Sequence, residues 1–120
     1  MKNVTLVLGA SLNPNRYSNI AIKRLVGSEM ETVAIGLREG TVLNVKIDTV
    51  KKEYDSIDTV TLYLNAKRQE EYYNYIISLK PRRVIFNPGT ENLEFVKLLQ
   101  KNGIHSEIAC TLVLLSTKQY

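Results

Sequence analysis

The chain has 120 residues, of which 44% are apolar and 23% charged, and its formal net charge is +4. These values predict a single globular domain over 1–120, and the one cysteine excludes an internal disulfide. Acidic and basic residues are interspersed, as at 67–71 (KRQEE), and no apolar run approaches the ~20 residues of a membrane span. We therefore expect neither a nucleic-acid partner nor a membrane one.

The first predicted strand, positions 4–8, is a run of β-favouring residues typical of a parallel strand buried on both faces. Gly9 follows it, and a helix is predicted at 18–26 with Ser18 or Asn19 as its cap and Gly27 as its stop. A glycine there lets a ligand approach the main chain, and a helix N-terminus favours phosphate. The pattern thus predicts a nucleotide-type site, although an ordinary strand-to-helix turn has the same features.

The rest of the chain continues the alternation of strands and helices. Strands are predicted at 32–37, 41–47, 59–64, 83–87 and 106–109, with 51–57 as a poor helix or loop and 112–115 as an extension or separate terminal strand. Helices are predicted at 66–80, before Pro81, and at 92–102, before Gly103.

This alternation predicts a Rossmann-like α/β fold: a doubly wound parallel sheet in a three-layer α/β/α arrangement. Only a short edge strand, 41–47, fills the long gap after the second strand, which fits a sheet order of 3-2-1-4-5-6. Ligands in such sheets bind beyond the carboxyl ends of the strands, here between strands one and four.

The loop after the first strand matches neither common phosphate-binding motif. In a dinucleotide fingerprint, glycines would stand where this chain has Ser11 and Pro14, and no P-loop string occurs. The loop reads Gly-Ala-Ser-x-Asn-Pro-x-Arg-Tyr-Ser from position 9 to position 18. This pattern resembles the stand-alone CoA-binding domain family, small Rossmann-like proteins related to the CoA-binding domain of the succinyl-CoA synthetase α-subunit. The resemblance implies CoA, or an acyl-CoA, as the bound cofactor.

The resemblance and the predicted topology together assign candidate binding residues to the loops at the carboxyl edge. In the first loop, main-chain and hydroxyl groups are expected to bind the pyrophosphate and Arg16 a phosphate, unless that arginine is only a solvated surface residue. After the second strand, a cation at Arg38 suits a ribose phosphate, as in CoA or NADP, better than the free ribose of NAD. The candidate set is Gly9, Ala10, Ser11, Asn13, Arg16, Ser18, Gly36, Arg38, Tyr63, Asn65, Asn87 and Gly89.

Several candidates on the far side of the crevice have alternative interpretations. Tyr63 is predicted either to pack on adenine or to belong to the core. Asn65 begins the segment that, through Arg68, replaces an Arg-x-Pro-Glu-like run common in the family. Asn87 stands where the family often has glutamine, so it is expected to contact the pantetheine arm, but a tight turn with a helix cap explains the same residues.

No catalytic or metal-binding set can be assembled from the sequence. His105 is the sole histidine, and Cys110, which matches a cysteine of the family, is equally well explained as a small buried residue. The alternatives to a non-catalytic CoA-binding protein are an NAD(P)-binding oxidoreductase and a regulatory module with a nucleotide pocket. The tyrosines at 72–75 are predicted to pack internally or to form a homo-oligomer contact. Since no signal-peptide pattern opens the sequence, a cytoplasmic location is expected.

Overall fold

The computed structural model describes residues 3–120 and contains one seven-stranded sheet with helices on both faces. The strands β1 to β7 are Val4–Ala10, Glu31–Gly36, Gly40–Val42, Val45–Asp48, Ile57–Leu62, Arg83–Phe86 and His105–Ile108. The helices α1 to α5 are Tyr17–Gly27, Ala66–Gln69, Tyr73–Leu79, Leu93–Lys101 and Thr111–Ser116, with a 3₁₀ turn at Glu70–Tyr72.

The strand order is β3-β4-β2-β1-β5-β6-β7, and every neighbouring pair except β3–β4 is parallel. Leu8 of β1 pairs with Ile35 of β2 and with Leu62 of β5, so the longest strands lie at the centre. The chain reverses direction across the sheet between β1 and β5, which confirms the predicted Rossmann-like order.

The two faces of the sheet have separate apolar clusters, which confirms the three layers. On one face, alternate strand residues such as Leu6 and Phe86 pack against Ile76 of α3 and Phe95 of α4. On the other face, Val7 and its neighbours pack against Ile22 and Leu25 of α1 and against Leu115 of α5. The alternation follows from the two-residue period of a strand, which sends neighbouring side chains to opposite faces.

Two predicted strands were wrong in detail. Segment 41–47 is not one edge strand but an antiparallel hairpin, β3–β4, closed by Leu43 and Asn44. Both turn residues have positive φ, 45° and 68°, as a tight two-residue hairpin requires, without the glycine that usually signals one. Segment 112–115 lies in helix α5, where Leu114 is buried, because a four-residue apolar run does not by itself distinguish a strand from a helix.

The predicted second helix is interrupted by the 3₁₀ turn and the first helix starts differently. Lys80, with φ of 52°, ends α3 before Pro81, as expected. Helix α1 begins at Tyr17, with Arg16 in the cap position and no capping side chain, so Ser18 and Asn19 are buried in its first turn instead.

The tyrosine cluster of 72–75 makes contacts within the molecule. The Tyr73 ring stacks on Phe95 with 4.3 Å between centroids, and its hydroxyl donates to Glu94 at 3.0 Å. The Tyr75 hydroxyl donates to the main-chain oxygen of Lys52. A homo-oligomer through this cluster stays a prediction. No helix within residues 3–120 is long and apolar enough to cross a membrane.

Candidate functional site

A cleft of about 690 Å³ opens at the carboxyl ends of the central strands. Its lining comes from four segments: the β1–α1 loop, the β2–β3 turn, the segment from the end of β5 into the 3₁₀ turn, and the β6–α4 loop. The cleft therefore lies at the edge where the order of the parallel strands reverses, which is where such folds bind ligands.

Gly9 forms a bulge at the end of β1, and the sheet itself requires a glycine there. Its φ is +98°, the β1–β2 register shifts at this residue, and a Cβ would lie 2.9 Å from the carbonyl carbon of Tyr63. Gly36 is crowded in the same way, because a Cβ would lie 2.3 Å from the carbonyl oxygen of Ala10. Both glycines allow main chain to pack closely against main chain beneath the cleft.

The β1–α1 loop is held in shape by its own hydrogen bonds. The Ser11 hydroxyl accepts from the Asn13 N–H at 3.1 Å, and the Asn13 side chain accepts from the Asn15 N–H at 2.9 Å. The buried Asn19 amide donates to the Ser11 carbonyl at 2.9 Å. The loop is thus fixed by the protein before any ligand binds.

The N-terminus of α1 presents unpaired donors to the cleft. The N–H groups of Tyr17 and Ser18 have no hydrogen-bond acceptor among the residues of the described chain, and Arg16 supplies no capping side chain. The first turn contains no acidic residue. Free N–H groups and the positive end of the helix dipole favour an anion at this position.

Three arginines line the cleft: Arg16 on the β1–α1 loop, Arg38 on the β2–β3 turn and Arg68 on α2. Within residues 3–120, none of them forms an ion pair with a carboxylate, and the lining includes neither aspartate nor glutamate. A cleft with three unneutralised guanidinium groups and no carboxylate has a positive potential and favours a ligand with several negative charges.

Three large side chains give part of the rim of the cleft an apolar character. Leu12, Tyr17 and Leu37 expose 42%, 72% and 75% of their surface, and all three line the cleft. Exposed large apolar side chains clustered around one opening are typical of a ligand-binding surface, because they cost free energy while they are in contact with water. The cleft therefore combines anion-binding groups with a surface suited to an apolar or aromatic group.

Comparison with known proteins gives the family. A family model described as the CoA binding domain matches residues 3–116. The chain belongs to this CoA-binding domain family. The match covers every strand and every helix, so it includes the whole cleft.

Solved structures support the same fold. An uncharacterized protein is 46% identical and superposes with a TM-score of 0.96, with 100% of this chain and 99% of that chain covered. A hypothetical protein from Pyrococcus horikoshii OT3 is 28% identical, with a TM-score of 0.84 and coverage of 97% and 82%. A Thermus thermophilus protein, cell-free ID.343, shares the fold at 16% identity and a TM-score of 0.87 over 99% and 91% of the two chains. No curated protein matches the chain.

The cleft of this CoA-binding domain brings together all predicted site residues except Asn87. The residues that line it are Gly9, Ala10, Ser11, Asn13, Arg16, Ser18, Gly36, Arg38, Tyr63, Asn65 and Gly89. Their contacts with a ligand stay a prediction. Asn65 also caps α2, since its side chain accepts from the Arg68 N–H at 2.9 Å.

Asn87 is buried below the cleft and does not line it. Its amide donates to the Thr61 hydroxyl at 2.6 Å and to the Leu62 carbonyl at 2.9 Å, while its oxygen accepts from the Thr111 N–H at 2.8 Å. All hydrogen-bonding groups of the side chain are therefore engaged in joining β5, β6 and α5. The expectation that Asn87 contacts the pantetheine arm is not supported by this arrangement.

Tyr63 belongs both to the cleft and to the core beneath it. Its ring packs on the apolar cluster below α1, and burial raises the pKa of its phenol to about 12. The hydroxyls of Thr61 and Thr111 lie near the phenol, but they bond to each other at 2.7 Å. The phenol oxygen has no hydrogen-bond partner of good geometry among the described residues. The apolar contacts of the ring therefore account for the burial of this side chain.

The cleft contains lining residues that the sequence analysis did not select. Leu12 and Leu37 form the rim, and Arg68, Tyr72 and Thr90 form the wall beyond β5. Arg68 and Tyr72 are four residues apart in a predicted helix that follows a central strand. Residues with this spacing lie on the same face of a helix, so the sequence could have predicted that the two side chains lie together. Cys110 and His105 are outside the cleft, and residues 3–120 contain no cluster of potential metal ligands.

Proposed function

We propose that this protein binds CoA or an acyl-CoA in the cleft and catalyses no reaction of its own. The observation that carries the proposal is the charge of the site: three unpaired arginines and two free helix N–H groups with no carboxylate, in a member of the CoA-binding domain family. CoA carries a diphosphate and a 3′-phosphate, so its negative charge complements these groups.

The arrangement suggests where each part of the ligand binds. The diphosphate is placed against the Ser11 loop and the N–H groups that begin α1, with Arg16 beside it. The adenosine is placed toward the β2–β3 turn, where Leu37 offers an apolar surface and Arg38 a cation for the 3′-phosphate. The pantetheine arm then extends toward the opposite wall, past Asn65 and Gly89.

The chemistry of the lining supports binding without catalysis. Among the described residues that line the cleft there is no histidine, cysteine, aspartate, glutamate or lysine, the side chains that most often act as nucleophiles or general acids and bases. Burial raises the pKa of the Tyr63 phenol to about 12, which makes it a poor proton donor or acceptor near neutral pH.

NADP is the second candidate, because Arg38 suits any ribose phosphate. A thermal-shift panel of CoA, acetyl-CoA, NAD, NADP, ADP and ATP separates the candidates. At a hundredfold excess over its Kd, a ligand adds about 2.7 kcal/mol to the free energy of unfolding. For a domain of this size that corresponds to an increase in Tm on the order of 10 °C.

We expect this increase with CoA and acetyl-CoA and a much smaller one with NAD. Arg16→Ala is expected to weaken binding of all phosphate-containing ligands, whereas Arg24→Ala, an exposed α1 substitution outside the cleft, is expected to leave it unchanged. A larger increase in Tm with NADP than with CoA would contradict the proposal and favour a dinucleotide-binding protein.

A further inference from the structure

Strand β7 forms an open edge of the sheet, and no strand of residues 3–120 lies beyond it. The N–H groups of His105 and Ala109 donate to carbonyls on the β6 side, so the odd-numbered residues of β7 bond inward. Successive residues of a strand direct their main-chain groups to opposite sides. The N–H and C=O groups of Ser106 and Ile108 therefore point outward, where they can bond to another strand.

This edge lacks the side chains that usually prevent a strand from pairing with another chain. Strand β7 contains neither proline nor lysine, and its one carboxylate, Glu107, is paired with the buried Arg83 at 3.1 Å. At the end of the strand, Ile108 exposes 66% of its surface. Edge strands are commonly protected by proline, by lysine or by an unpaired charge, so β7 is suited to pairing with a strand of another molecule.

Two symmetric registers allow two copies of β7 to pair antiparallel through these outward groups. A two-fold axis perpendicular to the sheet keeps each face of the two sheets on one side, so only side chains from the same face can lie opposite each other. The axis then passes either between the two Ser106 residues or between the two Glu107 residues. In the second register two carboxylates lie directly opposite each other, which destabilises a strand pair.

The register centred on Ser106 is favoured by charge and by apolar contact. The two Ser106 residues exchange a pair of main-chain hydrogen bonds across the axis. His105 of each copy lies opposite Glu107 of the other, so its imidazole N–H can donate to a carboxylate that is still 30% exposed beside Arg83. Ile108 lies opposite Ile104, which belongs to the apolar cluster beneath α3 and α4, so the exposed isoleucine is covered.

We propose that two copies of this chain associate through β7, antiparallel and with Ser106 at the two-fold axis, to form one continuous sheet. Because the strands of the two copies run in opposite directions, the two clefts open at opposite edges of the joined sheet. The proposal does not depend on what the clefts bind, since no residue of β7 lines the cleft. The paired segment is short, so a weak and reversible dimer is expected.

Charge substitutions at the exposed His105 test the register. Sedimentation equilibrium of the full chain over a roughly hundredfold range of concentration measures the Kd of the dimer. His105→Glu places like charges opposite each other twice and is expected to raise this Kd about tenfold or more, whereas His105→Lys keeps opposite charges and is expected to leave it unchanged or lower it. In the register centred on Glu107, residue 105 faces Ala109, so equal effects of the two variants would refute the proposed register.

Substitutions at Ser106 test whether the outward main-chain groups make the contact. Ser106→Pro removes an N–H that does not bond to β6 and is expected to abolish the dimer, whereas the control Ser106→Ala keeps this N–H and is expected to retain it. Urea unfolding checks that both variants are folded. A wild type that is monomeric at every concentration would overturn the proposal, as would a dimer that Ser106→Pro leaves intact, which must form through another surface. Titration with CoA tests the proposed function separately.

Discussion

The proposed contact between Arg38 and the 3′-phosphate of CoA gives the sharpest test of the proposed orientation of the ligand. Arg38 is exposed on the turn between β2 and β3, lines the cleft and forms no ion pair with a carboxylate of the described chain. Its neighbour Glu39 does not line the cleft. No existing ion pair must therefore be broken when a phosphate binds, and the full gain of the new contact contributes to affinity.

The size of the effect decides whether the contact exists. A well-made charge-assisted hydrogen bond contributes roughly 1.5–3 kcal/mol, which corresponds to about a 10- to 150-fold change in Kd. A solvent-exposed ion pair contributes about 0–1 kcal/mol, or at most roughly fivefold. Because Arg38 lies at the mouth of the cleft, the low end of the first range, about tenfold, is expected.

The assay is a double-mutant cycle with CoA and dephospho-CoA against the wild type and Arg38→Ala, measured by calorimetry. If the phosphate and the guanidinium bind each other, removing either one abolishes the same contact. The variant is therefore expected to bind CoA and dephospho-CoA with equal affinity. Arg24→Ala, outside the cleft, is the control and keeps the wild-type preference. If Arg38→Ala still prefers CoA tenfold, the 3′-phosphate binds elsewhere and the proposed orientation of the adenosine is refuted.

Three further predictions concern the stability of the fold and are measured by urea unfolding. Gly36→Ala is expected to lower the free energy of unfolding by about 1–3 kcal/mol, because its Cβ would lie 2.3 Å from a main-chain oxygen. Gly27→Ala is the control: a Cβ there meets nothing within 4 Å, so this variant is expected to be as stable as the wild type or slightly more stable. Equal effects of the two substitutions would contradict the crowding at Gly36. Tyr63→Phe is expected to leave stability unchanged or raise it by up to about 1 kcal/mol, since its buried hydroxyl has no partner among the described residues, and a loss above about 1 kcal/mol would reveal a hydrogen bond. The hydrogen bond from Arg82 lowers the pKa of Asp58, so this pair stabilises the protein above the unfolded pKa and the contribution is lost as pH falls through the folded pKa. Arg82→Ala is therefore expected to lower the free energy of unfolding by less than about 1 kcal/mol at pH 6, and by progressively less as the pH is lowered below the unfolded pKa of Asp58.

The order of the strands was predictable because each central strand is a run of β-favouring residues followed by a helical segment. Such runs fix which segments are buried in the sheet, and right-handed crossovers then leave few topologies. The errors lie where the local pattern is weak. Leu43 and Asn44 close a hairpin without glycine, and the helix predicted at 66–80 is divided where Gln69 is bonded to the Leu64 carbonyl at the end of β5 and to the Thr90 carbonyl on the β6–α4 loop. The hairpin has only Asn44 as a local signal, because leucine rarely adopts a positive φ, and the division of the helix depends on the bond of Gln69 to a distant loop.

The site was predictable as far as it depends on the ends of the strands. Residues just after β1, β2 and β5 meet at one edge of a parallel sheet, and the predicted residues there do line the cleft. Asn87 also ends a strand, yet the start of α5 lies beneath the cleft and engages its side chain. Because 112–115 was predicted as a strand, the sequence analysis contained no helix there to engage this asparagine.

The reason for choosing the β1–α1 loop needs revision even though the loop does line the cleft. Gly9 was interpreted as a glycine that lets a ligand approach, but its positive φ and its contact with the Tyr63 carbonyl show that the sheet requires it with or without ligand. A Gly9→Val variant would therefore lose binding through damage to the fold, and that loss would say nothing about CoA. The independent indications of a ligand are the free N–H groups of α1 and the unpaired arginines. Substitutions at Arg16 and Arg38 test binding without removing a contact that the fold requires.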